Sequence, residues 1–163
     1  VKGVHLEVNL ATSQNSLLKS GFTVQRSLYQ TVQEFNENRF FRTPNDYGYF
    51  SFDWKTTKKL GFSASANYTG KMLVPYFGNC LAEPEQGELR ESDPFFDLGL
   101  KCRYNIKLNG ATLQLFGGVK NLFNSYQYDF DSGADRDPGY IYGPASPRTV
   151  YFGLKIGNTL NRK

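Results

Sequence analysis

Cysteine and histidine are nearly missing from this sequence, and their scarcity removes whole classes of chemistry. Two cysteines, Cys80 and Cys102, cannot build the disulfide framework of a small secreted domain. One falls in an expected loop and the other in mid-strand, so no bridge between them is predicted. The one histidine, His5, has no second nitrogen or thiolate ligand at useful spacing. It reads as a residue of a polar strand face rather than a metal ligand. No Gly-x-Ser-x-Gly elbow occurs, and a serine–histidine hydrolase would have to rely on His5 alone, so no enzyme and no cofactor are expected. Long apolar runs are also missing. None approaches the ~20 residues that a membrane-spanning helix requires, and the mean hydropathy is −0.51. Excess charge is small, +4, without a basic stripe interleaved with aromatics, so nucleic acid is not an expected partner.

What is present favours strands. Aromatics make up 16% of the chain and glycine contributes 16 residues, while alanine and glutamate are few. The clearest segment is Phe95 to Lys107. Phe96, Leu98, Leu100, Cys102, Tyr104 and Ile106 share one parity, and Asp97, Gly99, Lys101, Arg103 and Asn105 the other. Such alternation predicts a strand with one apolar and one polar face. Leu60 to Gly70 repeats it, as do Val4 to Leu10 and Val150 to Ile156. Gly48 to Trp54, Leu113 to Val119 and Ser20 to Gln30 are three further strands. In the last of these Arg26 falls on the apolar parity. An outward arginine near mid-depth in lipid costs about 2–4 kcal/mol. Either the register shifts there, or that end lies beyond the hydrocarbon.

The connections are expected at Ala11 to Lys19, Thr31 to Tyr47, Lys55 to Lys59, Lys71 to Pro94, Leu108 to Gly110, and Phe123 to Arg148. They alternate short and long, with the first of middling length. Asn109-Gly110 between two alternating runs marks a tight hairpin that needs positive φ. Long loops gathered at one end are the habit of transmembrane barrels, whose hydropathy averages out because lipid-facing and lumen-facing residues alternate. Trp54 and Tyr104 near short turns, with Tyr68 and Phe96 near long loops, are placed as two interfacial girdles would be. Seven strands are too few for a closed barrel, whose floor is about eight. The chain also begins at Val1, without an initiator methionine, and alternates almost at once. It is therefore expected to be a piece of a longer protein, with open strand edges through which an isolated fragment would self-associate.

The closing third resembles the TonB-dependent outer-membrane receptors, particularly those of Bacteroidetes-type bacteria. The resemblance lies in Gly118-Val119-Lys120-Asn121-Leu122-Phe123-Asn124, with Tyr126 close behind. It continues in Gly139-Tyr140-Ile141-Tyr142-Gly143-Pro144 and in Pro147-Arg148-Thr149-Val150-Tyr151-Phe152-Gly153-Leu154-Lys155. It implies an all-β chain of antiparallel up-and-down strands, about the last seven of a barrel of about 22 strands. Residues 1–163 would then be a C-terminal barrel segment in the outer membrane of a Gram-negative cell, in contact with lipid, its C-terminus periplasmic. A plug domain and the segment that contacts TonB would belong to residues outside this sequence. The cargo implied is a scarce metal chelate such as an iron–siderophore, haem or cobalamin; the closing segment looks less like the sugar-importing branch. Many such barrels end in an aromatic residue, whereas this chain ends Gly157-Asn158-Thr159-Leu160-Asn161-Arg162-Lys163. The competing readings are a soluble β-sandwich or lipocalin-like binding module, and a passive porin or adhesin barrel.

Ligand contact is expected from aromatics and an arginine in the long loops: Phe40, Phe41 and Arg42, then Tyr126, Tyr128, Tyr140 and Tyr142. The same residues would equally serve loop-on-loop packing. Asp129, Asp131 and Asp135, spaced around Gly133, form a weak Ca²⁺ pattern that lacks the bidentate glutamate of an EF-hand. A solvated acidic loop explains them as well, together with Glu83, Glu85, Glu88, Glu91 and Asp93.

Overall fold

The computed structural model describes residues 1–158, which fold as strands, turns and one short 3₁₀ turn at Glu34–Asn36. In chain order the strands are β1 (Lys2–Ser13), β2 (Ser16–Arg26), β3 (Asp46–Trp54), β4 (Leu60–Thr69), β5 (Leu73–Tyr76), β6 (Glu88–Glu91), β7 (Phe95–Leu108), β8 (Ala111–Lys120) and β9 (Thr149–Asn158). Seven of them form one sheet in the order β1-β2-β3-β4-β7-β8-β9, each antiparallel to its neighbour. β5 and β6 form a separate two-stranded ribbon. The expected all-β, up-and-down architecture is the one found, and a single sheet with no second sheet packed on it is not a sandwich.

Registers align the alternating residues across the whole sheet. Leu10 faces Leu18, and Leu18 faces Phe52, which in turn faces Ala64. Ala64 faces Leu100, Leu100 faces Val119, and Val119 faces Val150. Opposed residues share a face, so one side of all seven strands is a continuous apolar surface. It is uncovered: Phe152 is 91% exposed, and Val4, Leu6, Phe22, Phe96, Leu100 and Leu154 are exposed with it. The other side carries Asp53, Ser63, Lys101 and Arg103. There Ser63 donates to Asp53 at 2.5 Å, and Arg103 reaches both Ser63 at 3.1 Å and Asp53 at 3.4 Å. His5 sits on this polar side against Thr23 at 2.8 Å, and Gln114 donates to Asn105 at 2.8 Å.

Trp54 and Phe62 pair at one end of the apolar surface, with ring centroids 6.4 Å apart, and Tyr104 lies beside them opposite Leu60. At the other end Phe22, Tyr68, Phe96 and Phe123 make a second row. Phe22 and Tyr68 stack at 6.2 Å across Gly48, and Phe96 meets Phe123 at 5.9 Å. Gly48 is what permits this: a Cβ there would lie 2.6 Å from the Phe22 ring. Along β7 the two rows are eight residues apart, or roughly 26 Å of strand, which at a tilt of about 35–45° spans about 18–21 Å and so fits inside an apolar band of about 25 Å.

Two details differ from the sequence reading, and of the two alternatives for Arg26 one is selected. The first connection is not a loop over Ala11 to Lys19 but a tight turn at Gln14 and Asn15. Its strands are lengthened by Thr12, Ser13 and Ser16, whose hydroxyls bond one another at 2.6 and 2.7 Å. Polar residues there serve the ladder and the turn together, which composition alone reads as loop. Arg26 needs no register shift. The β1–β2 ladder runs unbroken from Lys2–Arg26 to Ala11–Leu17, and Arg26 is the last residue of β2, at the long-loop end. The β5–β6 ribbon inside the expected loop Lys71 to Pro94 was not visible as strands, because each is only four residues long and Pro75 interrupts one. The Asn109-Gly110 hairpin is as expected, with Gly110 at φ +80° and open space around its missing side chain. Cys80 and Cys102 are both free thiols. The non-aromatic chain end and the orientation of the C-terminus fall on residues 159–163, outside the described residues.

Candidate functional site: the outer loop cluster

Apart from Ala66 and Phe95, the buried hydrophobic residues among those described lie outside the seven-stranded sheet. They lie where the three long connections, residues 27–45, 70–94 and 121–148, meet at one end. Met72, Val74, Tyr76 and Tyr140 form this core, with Leu81 and Tyr142 packed alongside; Val74 is 0% exposed and Tyr140 2%. Alternation in β5 places Val74 and Tyr76 on one side of the ribbon. The loop 121–148 brings in the Tyr140 ring, 4.6 Å from Tyr76 and 5.2 Å from Tyr142. Burying side chains of this size stabilises by about 1.5–3 kcal/mol each, which is what makes one body of three long connections.

Two buried amides bend the loop 121–148 into place. Asn121 has φ +50°, a conformation that asparagine tolerates better than most residues. Its Nδ2 donates to the carbonyls of Ser125 and Ser146, both at 3.0 Å, while its Oδ1 accepts from the Ser125 N–H at 2.8 Å. Its own N–H donates to Asp97 of β7 at 3.0 Å. Gln127, 1% exposed, donates to the Tyr140 carbonyl at 3.1 Å and accepts from the Tyr142 and Gly143 N–H groups at 3.0 and 3.3 Å. The residues Asn121 and Asn124 of the closing motif therefore build the corner from β8 into the loop, where Asn124 also accepts from the Arg148 N–H at 2.8 Å.

Charges lock the outside of the cluster. Arg90 of β6 lies 3.6 Å over the Tyr76 ring and 5.4 Å from that of Tyr140, and pairs with Glu88 at 2.6 Å. Asp129 accepts from both tyrosine hydroxyls, Tyr140 at 2.8 Å and Tyr142 at 2.6 Å. Burial works to raise the Asp129 carboxyl, but its hydrogen bonds together, those of the two hydroxyls foremost, outweigh it and hold the group below the ordinary 3.8. Burial and then Asp129 push the Tyr142 phenol well up, and the Cys80 thiol at 3.0 Å, followed by burial, takes Tyr76 to about 12. A depressed carboxylate adds stability above its unfolded value and loses it as pH falls through the folded value. A raised phenol adds stability below its unfolded value of 10.0 and loses it as pH rises through the folded one. The cluster is thus expected to stay docked from about pH 4 to about pH 10. A spectrophotometric titration checks this: Tyr76 and Tyr142 should ionise after the bulk of the tyrosines, and docking should fail in acid below the ordinary aspartate range.

The structure brings most of the candidate residues to this cluster, in different roles. Tyr140 and Tyr142 are packing and hydrogen-bonding members of the core. Phe40 stacks on Tyr29 at 4.2 Å and Phe41 meets Phe35 edge-on at 6.0 Å, so both help to fold the loop 27–45. Arg42, at φ +54°, donates to the Gly139 carbonyl at 2.7 Å and so ties that loop to the loop 121–148. The Tyr126 and Tyr128 rings pack against each other at a tilt, centroids 4.1 Å apart, and Tyr128 is 69% exposed, presenting an open ring to solvent. Asp129 is held by tyrosines, Asp131 accepts from the Ser132 and Asp137 N–H groups at 3.0 and 2.8 Å, and Asp135 is exposed. Among the described residues no three acidic, histidine or cysteine groups gather as a metal site. Sequence reasoning did not single out Arg90, Gln127, Phe35 or Phe77, and it named Asn121 only as a member of the motif Gly118 to Asn124, without a structural role.

No known family model and no curated protein matches the sequence. Solved structures do. A mutant form of the ferric enterobactin receptor of Pseudomonas aeruginosa superposes with TM-score 0.65 at 20% identity, covering 93% of this chain and 21% of that one. The ferripyoverdine receptor of the outer membrane of Pseudomonas aeruginosa, bound to ferripyoverdine, gives 0.65 at 18% identity over 93% of this chain and 19% of that one. The chain therefore spans about a fifth of the length of these structures. The likeness shows the fold: the antiparallel barrel-wall sheet expected from the closing motifs is the architecture found.

Proposed function

We propose that this chain is the wall and outer mouth of a TonB-dependent receptor in the outer membrane, the last seven strands of its barrel, and that it performs no catalysis itself. One observation carries the reading: one face of the sheet is predominantly apolar and the other predominantly polar, with the three long connections folded into one cluster at the same end. Such a face is stable against lipid and costly against water. The polar face then lines the lumen, the loop cluster faces outward, and the short turns and the C-terminus lie in the periplasm.

The cargo that fits is a ferric siderophore, the ligand class named for both structural neighbours, one of which is also known in complex with enterobactin; haem and cobalamin are the other chelates considered. The open ring of Tyr128, with the half-buried Tyr126 beside it, is the ligand-contacting candidate left by the packing, and TonB would act through a plug outside this sequence. The test is uptake by cells producing the intact receptor, offered labelled ferric siderophores, haem and cobalamin. Uptake of a ferric siderophore that stops when TonB is deleted is the expected result. Uptake that persists without TonB would make the barrel a passive pore.

A further inference from the structure

We propose that Asn109 is a site of spontaneous modification, where the Gly110 backbone nitrogen displaces the side-chain amide and leaves aspartate or isoaspartate in the β7–β8 hairpin. The inference concerns this hairpin alone and stands whichever solvent the sheet faces. The Gly110 nitrogen gives up its proton to base and forms a bond to Cγ of Asn109. The Cγ–Nδ2 bond breaks, ammonia leaves, and a succinimide ring closes. Water then opens the ring. Attack at Cγ gives aspartate; attack at the main-chain carbonyl leaves the chain running through Cγ, an isoaspartate with an extra backbone carbon. The net change is water in and ammonia out, without an oxidant or reductant.

The hairpin supplies what this reaction needs. The Asn109 side chain is exposed and has no hydrogen-bond partner among the described residues, whereas Asn105 on the same strand accepts from Gln114 at 2.8 Å. Nothing lies within 4 Å of the place where a Gly110 side chain would stand, so the attacking nitrogen is unshielded. Gly110 alone of the two turn residues takes a positive φ, +80°. That is the φ pattern of a type II turn, whose twist splays the strands that a two-residue hairpin must join. The closing rung, Leu108–Ala111, is therefore where the ladder opens first. Opening it frees Asn109 to rotate its carbonyl carbon toward the Gly110 nitrogen.

Other asparagines lack one or more of these features. Asn15 is exposed in the β1–β2 turn but precedes Ser16, whose side chain crowds the nitrogen. Asn124 also precedes a serine, and its Oδ1 is engaged by the Arg148 N–H at 2.8 Å. Asn121 is buried and held by its bonds to Ser125 and Ser146. The two products at position 109 differ in effect. Aspartate keeps the turn and adds a carboxylate where Lys107 is the only charged residue between Tyr104 and Gln114. Isoaspartate lengthens a turn that has no slack, so the Leu108–Ala111 rung must open. β7 and β8 are paired on their outer sides with β4 and β9, which confines the disturbance to the hairpin tip.

The experiment ages the intact folded protein in mildly alkaline buffer and follows each asparagine by peptide mapping with electron-transfer fragmentation, which tells isoaspartate from aspartate. Asn109 should convert about tenfold faster than Asn15, with both products appearing, while Asn124 stays unchanged. Conversion should quicken as pH rises, because the attacking nitrogen must lose its proton. Asn109→Gln, whose longer side chain closes the ring poorly, should abolish the mass change at this position and leave the fold intact. Amide exchange over residues 106–113 should be faster in the isoaspartate fraction than in unaged protein. An Asn109 that survives while Asn15 converts overturns the proposal, as does an equal rate at Asn109 and Asn124. So does aspartate without isoaspartate, which would mean direct hydrolysis, or conversion that begins only once the strands have lost their exchange protection.

Discussion

Leu100→Arg is expected to cost the folded barrel about 2–4 kcal/mol, whereas Ser65→Arg on the neighbouring strand should change its stability little. Leu100 stands midway along β7 between Phe96 and Tyr104, opposite Ala64 on one side and Val119 on the other. It is at the centre of the apolar surface, which the proposed function places at the bilayer midplane. Ser65 is one step along β4 at almost the same depth, but its side chain leaves from the polar face, opposite Gly99. The two substitutions therefore introduce the same charge at the same depth on opposite sides of one sheet. Urea unfolding of the intact receptor in lipid vesicles measures both. Equal destabilisation would mean that the apolar face does not meet hydrocarbon.

Asn121→Ala is expected to cost about 3 kcal/mol, and to release the loop 121–148 before the wall yields. The substitution strands two carbonyls, of Ser125 and Ser146, and the Ser125 N–H, all paired with the Asn121 amide. It also leaves an alanine at φ +50°. Asn121→Gly separates the two contributions, because it removes the strain and keeps the lost hydrogen bonds; it should recover only a part of the stability. Limited proteolysis reads the outcome, through cleavage within 121–148 at denaturant concentrations where the strands remain protected. A loop as resistant as wild type would show that Asn121 is not its anchor.

The wall was legible in the sequence because its physics is local. Strict alternation in Phe95 to Lys107 and Leu60 to Gly70 admits one geometry, and the lengths between such segments place the long connections on one side. Where alternation is carried by Thr12, Ser13 and Ser16 the strands extended unseen, since hydroxyl residues suit turn and ladder equally. The loop cluster was only half legible. Aromatic enrichment flagged Tyr140 and Tyr142, yet their partners come from β5 and β6, and no periodicity reports a contact across the intervening chain. Arg90 is the clearest omission: its neighbours in sequence are acidic, and only the fold lays it over Tyr76. The Lys2–Arg26 pair shows the reverse. An arginine that spoiled an apolar strand was visible at once, but the register was needed to set a second cation opposite it.

The tie between Arg42 and Gly139 has a further consequence when taken with the Phe77 N–H, which donates to Asp137 at 3.0 Å. Each long connection is fastened to another at a point far from its own strands, as the legs of a tripod are braced to one another rather than to the floor. A change of length in one connection cannot be absorbed where it occurs, because it pulls on braces that belong to the other two. The outer surface of this barrel is thus constrained to vary as a set: new recognition surfaces can arise by exchanging exposed side chains such as Tyr128, whereas insertions must come in compensating groups.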